Sequence, residues 1–287
     1  MSNTKEAYDF EPFAKTKDYL KVNGKIVKRW TETMLKKNEG DVGCILDIAT
    51  GTGTMVELLF NFLPSKFNRT SVICLDKSAE ALNFAERNLL GKVQNLELIQ
   101  APIETAQLSP SSVDIAIWGN GIHYLSEEGH KNSIRNISRV LKPNGWFFFN
   151  TSFYDGARPT ETLPFYRAQV KKAVEYLRSR DIKRDKKDSR PEASKFHTKL
   201  YYEELLALAN FKVIESKEFS VDLYKRSWEQ ISSFGQYAAG ALHGYKISDA
   251  AIAMKKAVKH ALERHGQHDG LDGRYIRRNW LAISARA

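Results

Sequence analysis

The sequence predicts an α/β protein built around a doubly wound parallel β-sheet. Short apolar segments alternate with longer amphipathic segments through residue 151, the pattern of strands joined by helical crossovers. The segment ILDIATGTGT (45–54) reads as a buried strand that runs into a glycine-rich turn, a feature typical of the ligand-binding edge of such sheets. With 287 residues, 42% of them hydrophobic, the chain can bury a full core.

Five strands and three helices are predicted in the first half of the chain. The strands lie near 43–48, 71–76, 95–100, 113–118 and 145–151, and the helices near 54–62, 78–90 and 128–141. Ser78 stands at the start of its helix, where a serine side chain can accept from the first free N–H groups. The pair Asn144-Gly145, which follows a proline, predicts a turn before the fifth strand.

Beyond residue 151 the alternation changes. A helix is predicted at 163–177, followed by a charged stretch that ends at Pro191. Later helices are predicted near 201–209, 227–241 and 249–264, with strands at 211–221 and from Asn279 to the end of the chain. The second half therefore contributes two more strands and several helices outside the parallel pattern.

The glycine turn predicts an adenosine-type ligand. Gly51 and Gly53 lack Cβ atoms where the backbone turns, and the next helix directs its free N–H groups at the turn. A second apolar strand ends at Asp76, at the separation where a βαβ unit places a carboxylate beside a nucleoside ribose. Val56 stands where the dinucleotide fingerprint has its third glycine, which disfavours a nicotinamide cofactor.

Four segments in this order resemble the class I S-adenosylmethionine (SAM)-dependent methyltransferases. They are DIATGTGT (47–54), the strand end at Asp76, VDIAIWGNGIHYL (113–125) and RVLKPNGWFFFN (139–150). The resemblance covers about Gly43 to Phe153 and is strongest to small-molecule enzymes of the ubiquinone-biosynthesis and natural-product type. It implies SAM as cofactor and a Rossmann-like seven-stranded sheet whose last two strands form an antiparallel hairpin, with helical cap insertions.

Analogy with that family also divides the chain into segments. The expected segments are an N-terminal helical segment covering the cofactor (1–40), the SAM-binding core (41–153), a helical and charged cap insertion (154–198), a core helix and strand (199–221), a second helical cap insertion (222–276) and the last core strand (277–287).

The resemblance assigns cofactor contacts to residues at the carboxyl ends of the strands and on the N-terminal helix. The expected contacts are Asp47, Ala49, Thr50, Gly51, Thr52, Gly53, Asp76, Lys77, Ala101, Pro102, Ile103, Gly119, Asn120, Tyr19 and Asn23. Tyr19 and Asn23 are also compatible with packing or capping. After the third strand, related proteins often carry an acidic residue near the adenine. Here backbone groups of Ala101 and Ile103, or the carboxylate of Glu104, would have to read it.

Methyl transfer from a sulfonium is an in-line displacement that requires alignment and exclusion of water. His123, on the GNGIHY loop after the fourth strand, is the candidate general base, and it is equally compatible with substrate positioning or a structural role. Tyr124, Phe153 and Tyr154 are the candidate substrate walls.

The net charge of +10 is concentrated in the second half of the chain. Residues 1–150 hold 18 basic and 17 acidic residues, whereas 151–287 hold 26 and 17, and 171–190 alone hold nine and four. Such a stretch can steer an anionic acceptor or attract nucleic acid, or it can be a solvated face. An RNA or protein methyltransferase is therefore an alternative, although GNGIHY differs from the NPPY-type loop that holds a flipped base, so nucleic acid is not the expected partner.

Two further functional classes are alternatives: a methyltransferase-like binding protein without turnover and a nicotinamide oxidoreductase. A metalloprotein and a membrane-spanning protein are disfavoured by simple features of the sequence. His260, His265 and His268 lack nearby cysteines or a compact carboxylate set, so no metal is expected. No apolar run is long enough to span a membrane, and two cysteines in predicted core strands fit a reduced, cytoplasmic protein.

Overall fold

The computed structural model describes residues 10–36, 42–64, 67, 69–185, 191–271 and 273–287. By their internal packing these residues form two units. The sheet unit comprises Val22–Tyr154, His197–Phe219 and Trp280–Ala287, and the helical unit comprises Met1–Lys21, Asp155–Phe196 and Ser220–Asn279. The roles expected for the N-terminal segment and for the cap insertions stay predictions.

The strands form one mixed β-sheet. They are β1 (Cys44–Ile48), β2 (Ser71–Asp76), β3 (Asn95–Gln100), β4 (Val113–Gly119), β5 (Leu141–Thr151), β6 (Lys212–Tyr224), β7 (Gln267–His268) and β8 (Arg274–Arg286). The order is β3-β2-β1-β4-β5-β8-β6, and the pairs among β1 to β5 are parallel, whereas β8 runs antiparallel to β5. The predicted α/β class with an antiparallel portion at one edge is confirmed. The two-residue β7, which pairs with β8, was not predicted because two residues carry no periodicity.

The helices follow the predicted alternation. They are α1 (Glu11–Ala14), α2 (Lys17–Leu35), α3 (Thr54–Phe60), α4 (Ala79–Leu89), α5 (Glu127–Val140), α6 (Leu163–Arg178), α7 (Lys199–Ala207), α8 (Lys225–Ser233), α9 (Gly235–Ala241) and α10 (Ile247–His265). Ser78 caps α4, since its side chain accepts from Ala81 N at 3.3 Å. No helix within the described residues is long and apolar enough to cross a membrane.

Two local predictions were wrong. The helix predicted over 227–241 is two helices, because Phe234 is extended (φ −70°, ψ 118°) and the adjacent Gly235 and serines are weak helix formers. The turn predicted at Asn144-Gly145 lies inside β5. Asn144 has a left-handed φ of 64°, and the β4–β5 pairing shifts register there, so these residues form an irregularity within the strand.

Aromatic packing fills the sheet unit around β5. Trp30 of α2 stacks on Phe148 with ring centroids 5.4 Å apart, and Phe148 stacks on Trp146 at 5.3 Å. All three side chains are at most 1% exposed. Full burial of each such ring contributes on the order of 2 kcal/mol, so this stack fixes α2 against the centre of the sheet.

The helical unit is organised around α10, which packs against α6, α8 and α9. Its buried face carries small residues at helical spacing, including Ala250, Ala253, Ala257 and Ala261, which permit close approach of neighbouring helices. Gln169 of α6 donates from Nε2 to Ser232 Oγ at 2.8 Å, within the same unit.

Candidate active site

The turn after β1 has an unusual backbone. Ala49, Gly51 and Gly53 have φ values of 50°, 57° and 75°, and the left-handed conformation is easiest for glycine. A side chain at Gly53 would also lie 3.0 Å from Leu89 of α4. Backbone bonds from Thr50 N to Leu75 O (3.1 Å) and from Gly53 N to Thr50 O (2.9 Å) hold the turn against β2. Backbone conformation therefore favours glycine at both Gly51 and Gly53, and lack of space favours it at Gly53 as well.

Asp76 ties this turn to the end of β2. Its Oδ2 accepts from Gly51 N at 3.0 Å, and its Oδ1 accepts from Ser78 N at 2.9 Å. Burial raises the pKa of Asp76, while these two N–H groups lower it. A carboxylate offers about four acceptor positions, so the two positions not used in these bonds can still receive ligand hydroxyl groups.

Asp47 is a second buried carboxyl group on the same edge. It is 1% exposed, and its Oδ2 accepts from Thr50 Oγ1 at 2.5 Å. Its Oδ1 has no hydrogen-bond partner among the described residues. Burial raises the pKa of Asp47 to about 7, the Thr50 bond opposes this shift, and the charge of Asp76 adds to it. The group is therefore poised between its neutral and charged forms near neutral pH.

Thr52 is another of the residues predicted in the turn after β1, and its side chain is buried. It is 4% exposed, and its hydroxyl is 2.7 Å from that of Thr54. Its carbonyl accepts from Asn88 Nδ2 at 2.9 Å, which links the turn to α4.

The loop after β4 packs directly against this turn. A Cβ at Gly121 would collide with the Trp118 indole and lie 3.1 Å from Ala49 Cβ, and one at Gly119 would collide with Met55. Both glycines thus have a packing reason that the sequence did not disclose. The ligand contacts predicted for this loop remain predictions.

Three asparagines link the β4 loop to the core of the sheet unit. Asn120, with φ 52°, donates its N–H to Asn150 O at 3.0 Å and to Asn150 Oδ1 at 3.1 Å. Asn150 in turn donates from Nδ2 to Asn23 Oδ1 at 3.0 Å. Asn23 and Asn150 are both fully buried, so the structure gives Asn23 a supporting position, and its direct contact with a ligand stays a prediction.

Sequence reasoning missed Asn150. The available signal was a single amide side chain closing the apolar run WFFFN at the carboxyl end of β5. A polar residue at that position of a buried strand requires a hydrogen-bond partner.

His123 lies in an aromatic cluster on a 3₁₀ turn that spans Ile122–Tyr124. Its ring stacks on Phe153 with centroids 4.0 Å apart and lies 4.1 Å from the Tyr124 ring, and it is 3% exposed. Its Nδ1 is 3.3 Å from Thr151 Oγ1, which accepts from Phe153 N at 3.0 Å. The structure thus brings together three of the four residues predicted to act on substrate.

Tyr154, the fourth, is fully buried and forms a backbone bridge with His197. Its side chain exposes no surface that could line a substrate site. The role of Tyr154 as a substrate wall therefore remains a prediction.

A buried histidine that the sequence did not single out supports the same loop. His130 Nε2 lies 2.7 Å from Ile122 O and its Nδ1 lies 2.8 Å from Tyr201 OH. Because a carbonyl can only accept, Nε2 carries the proton and donates to Ile122. Burial raises the pKa of Tyr201 to about 12, so its hydroxyl stays neutral. This pair anchors the turn that carries His123 to α5 and α7.

Several backbone groups of the segment predicted to contact adenine form hydrogen bonds within the chain. Ala101 N donates to Asp76 O at 3.1 Å, and Ile103 O accepts from Asn136 Nδ2 at 2.7 Å. The carbonyl of Lys77 accepts from Gln100 Nε2 at 3.3 Å. Of the groups that the sequence offered for adenine, the Ala101 carbonyl, the Ile103 N–H and the Glu104 carboxylate form no such bond among the described residues. Pro102 has no N–H, and its carbonyl accepts from Thr105 N at 3.2 Å.

Residues 45–145 match a family model described as a methyltransferase domain. The match spans the β1 turn, Asp76 and the β4 loop. The chain carries a SAM-dependent methyltransferase domain.

Solved structures share the fold of this chain. The YcgJ protein of Bacillus subtilis aligns at 15% identity with a TM-score of 0.53, over 90% of this chain and 97% of that chain. Phosphoethanolamine N-methyltransferase 2 of Haemonchus contortus, solved with phosphomonomethylethanolamine and S-adenosylhomocysteine, aligns at 15% identity with a TM-score of 0.54, over 99% and 57%. The cyclase SpnF aligns at 16% identity with a TM-score of 0.51, over 90% and 80%. A comparison with curated proteins found no significant match.

SAM is the cofactor of this domain, and the residues present fit it. Asp76 retains acceptor positions suited to ribose hydroxyls, and Asp47 Oδ1 is a buried acceptor of the kind that a ligand ammonium group would satisfy. Among the described residues, no group of three or more His, Cys, Asp or Glu could hold a metal ion.

Two features predicted from the sequence, Tyr19 and the basic stretch 171–190, lie in the helical unit. Tyr19 is 3% exposed, and its ring packs on Phe10 and Phe13 at 5.6 and 5.1 Å. In the basic stretch, Lys172 pairs with Glu175 at 3.2 Å, and Arg184 donates from Nε to His243 O at 2.9 Å. The end of that stretch, 186–190, lies outside the described residues.

Proposed function

We propose that the protein transfers the methyl group of SAM to a small-molecule acceptor, with oxygen the first choice of nucleophile, then nitrogen, then carbon. The observation that carries the proposal is the double use of Asp76, which holds the glycine turn and keeps acceptor positions for a ribose. Small-molecule biosynthesis is part of the same proposal, as is a cytoplasmic location, which the two free thiols of Cys44 and Cys74 support.

Cofactor identity is tested first, by calorimetry. S-adenosylhomocysteine should bind to the wild-type protein and NAD should not. Tight NAD binding with no heat from S-adenosylhomocysteine would overturn the proposal.

The residues of the β4 loop would align the acceptor and keep water out. When bound, SAM supplies an electrophilic methyl carbon on a sulfonium sulfur. The aromatic cluster of His123, Tyr124 and Phe153 offers apolar ring faces of the kind that exclude water and favour a cationic neighbour. Alignment of this kind contributes through proximity, without a covalent intermediate on the protein.

His123 is the proposed general base for an acceptor that must lose a proton. His123→Ala should then slow the chemical step by about 10²- to 10⁴-fold while cofactor affinity stays nearly intact. The wild-type pH–rate profile should show an acidic limb in the imidazole range, absent in the variant. A smaller loss with the limb retained would make His123 a positioning group, and an unchanged profile would make it structural.

Thr151→Val provides the matched control for this histidine. It removes the hydroxyl 3.3 Å from Nδ1 but keeps the imidazole. If His123 is the base, the acidic limb should move along the pH axis without disappearing, because the pKa of the ring changes while the proton acceptor remains.

The alternatives are separated by two further measurements. Release of S-adenosylhomocysteine from SAM with any acceptor excludes a binding protein without turnover, an alternative that SpnF keeps open because this fold also occurs in a protein named for other chemistry. A gel-shift experiment with bulk tRNA at physiological salt tests the RNA alternative. Tight, length-dependent binding would favour that alternative over a small anionic acceptor.

A further inference from the structure

Two arginine side chains converge on one tyrosine within the helical unit. The guanidinium carbon of Arg158 lies 4.5 Å from the ring centroid of Tyr166 and 4.5 Å from that of Phe196. Arg278 donates from Nη1 to Tyr166 OH at 3.1 Å, and its guanidinium carbon is 5.9 Å from the same ring. Arg278 is only 3% exposed and Arg158 is half-buried, so the site reaches from the interior towards the surface.

The charge of Arg158 is not balanced by a carboxylate in the described part of the chain. Its Nε is buried with no hydrogen-bond partner there, and it forms no ion pair there. Burial lowers the pKa of Arg158, and the like charge of Arg278 lowers it further. The other groups that act on it are the phenols of Tyr237 and Tyr166. Burial raises the pKa of Tyr237, so this phenol remains neutral.

Such an arrangement is unfavourable unless something balances it. A guanidinium cannot lose its proton in a protein, and removing it even partly from water is unfavourable when no counter-charge replaces the solvent. A second guanidinium beside the same ring adds repulsion. The planar fork of arginine binds carboxylate and phosphate oxygens in pairs, and phenol hydroxyls can donate to the same oxygens.

We propose that Arg158 and Arg278, with Tyr166 and Tyr237, form a binding site for an oxyanion, the phosphate or carboxylate group of a small-molecule ligand. The aromatic rings of Tyr166 and Phe196 hold the Arg158 fork in one plane, which prepares it for two parallel hydrogen bonds. The site lies wholly within the helical unit and does not depend on methyl transfer.

The test is thermal unfolding of the full chain without SAM, with sodium phosphate or sodium acetate as the probe at constant ionic strength set by chloride. Phosphate, acetate or both should raise the melting temperature of the wild type in a saturable manner. Arg158→Met removes the charge at similar volume and should weaken the binding constant at least tenfold. Without added anion this variant should melt no lower than the wild type, because a half-buried charge with no carboxylate partner has been removed.

Arg180→Gln is the matched control. Arg180 is an exposed arginine of the same unit, 4.7 Å from the Tyr176 ring, and its removal should leave the anion response unchanged. Arg158→Lys keeps the charge but loses the fork. It should retain the wild-type melting temperature and bind the anion at least tenfold more weakly.

The results separate the possibilities. A response to phosphate alone assigns a phosphate ligand, and a response to acetate assigns a carboxylate. Equal responses of wild type and Arg158→Met would reflect a general salt effect and overturn the proposal. A lower melting temperature of Arg158→Met without anion would show that the chain itself balances Arg158, which also overturns it.

Discussion

Asp47 should make the cofactor-free protein lose stability as the pH rises. Burial raises its pKa from the usual range of an aspartate to about 7, a shift whose full effect is about 4 kcal/mol. A group whose pKa is raised by folding stabilises the folded state fully below its unfolded pKa, and that contribution is lost as the pH rises through about 7. Between pH 5 and 8, Asp47 alone should therefore lower the free energy of unfolding by roughly 2.5 kcal/mol.

Asp47→Asn should abolish this pH dependence. The free energy of unfolding is measured in urea at pH 5 and pH 8 for wild type and variant, and the difference between the two pH slopes is compared with the expected value. The constant cost of burying an amide cancels in that comparison. A carbon NMR titration of the Asp47 carboxyl group checks the pKa directly. Parallel slopes, or a titration midpoint near 4, would refute the account.

Three further predictions concern single contacts. Asp76→Ala should weaken S-adenosylhomocysteine binding by about 1.5 to 3 kcal/mol in calorimetry, the range for losing bonds to a charged group, and unchanged affinity would contradict its assignment. Gly121→Ala should lower the free energy of unfolding by about 1 to 3 kcal/mol, because its Cβ would collide with an indole ring. The control Gly24→Ala, with nothing within 4 Å, should raise it by about 0.5 to 1 kcal/mol, and equal effects would refute the packing argument. Tyr201→Phe should cost about 1 kcal/mol of stability and shift the ring resonances of His130 in NMR, whereas unshifted resonances would mean that their bond is absent in solution.

The order of strands and helices was predictable because each element carries a local signal. β2 and β3 have the predicted bounds, since their apolar runs end at polar residues or turns. The break at Phe234 and the strand continuing through Asn144 were not predictable, because each depends on partners distant in sequence. Asn144 N, for example, donates to the carbonyl of the last residue, Ala287, at 3.1 Å.

The candidate site also contains residues that a local sequence pattern predicts and residues that depend on partners distant in the sequence. The turn residues and Asp76 follow from spacing along one βαβ unit. The links from Asn23 to Asn150 and from His130 to Tyr201 join residues 127 and 71 positions apart, so no local pattern announces them. Arg158 and Arg278 likewise come from two separate segments of the helical unit, Asp155–Phe196 and Ser220–Asn279.

The two bonds that Asp76 makes within the chain have a consequence for protein engineering. Any attempt to alter cofactor preference by replacing this carboxylate also removes the acceptor for Gly51 and Ser78, two N–H groups on separate elements. An asparagine would turn an NH₂ group towards one of these donors, and a longer glutamate would displace both contacts. Redesign at this position therefore has to rebuild the glycine turn together with the proposed ligand contact, and a library that varies Asp76 alone would lose both bonds within the chain.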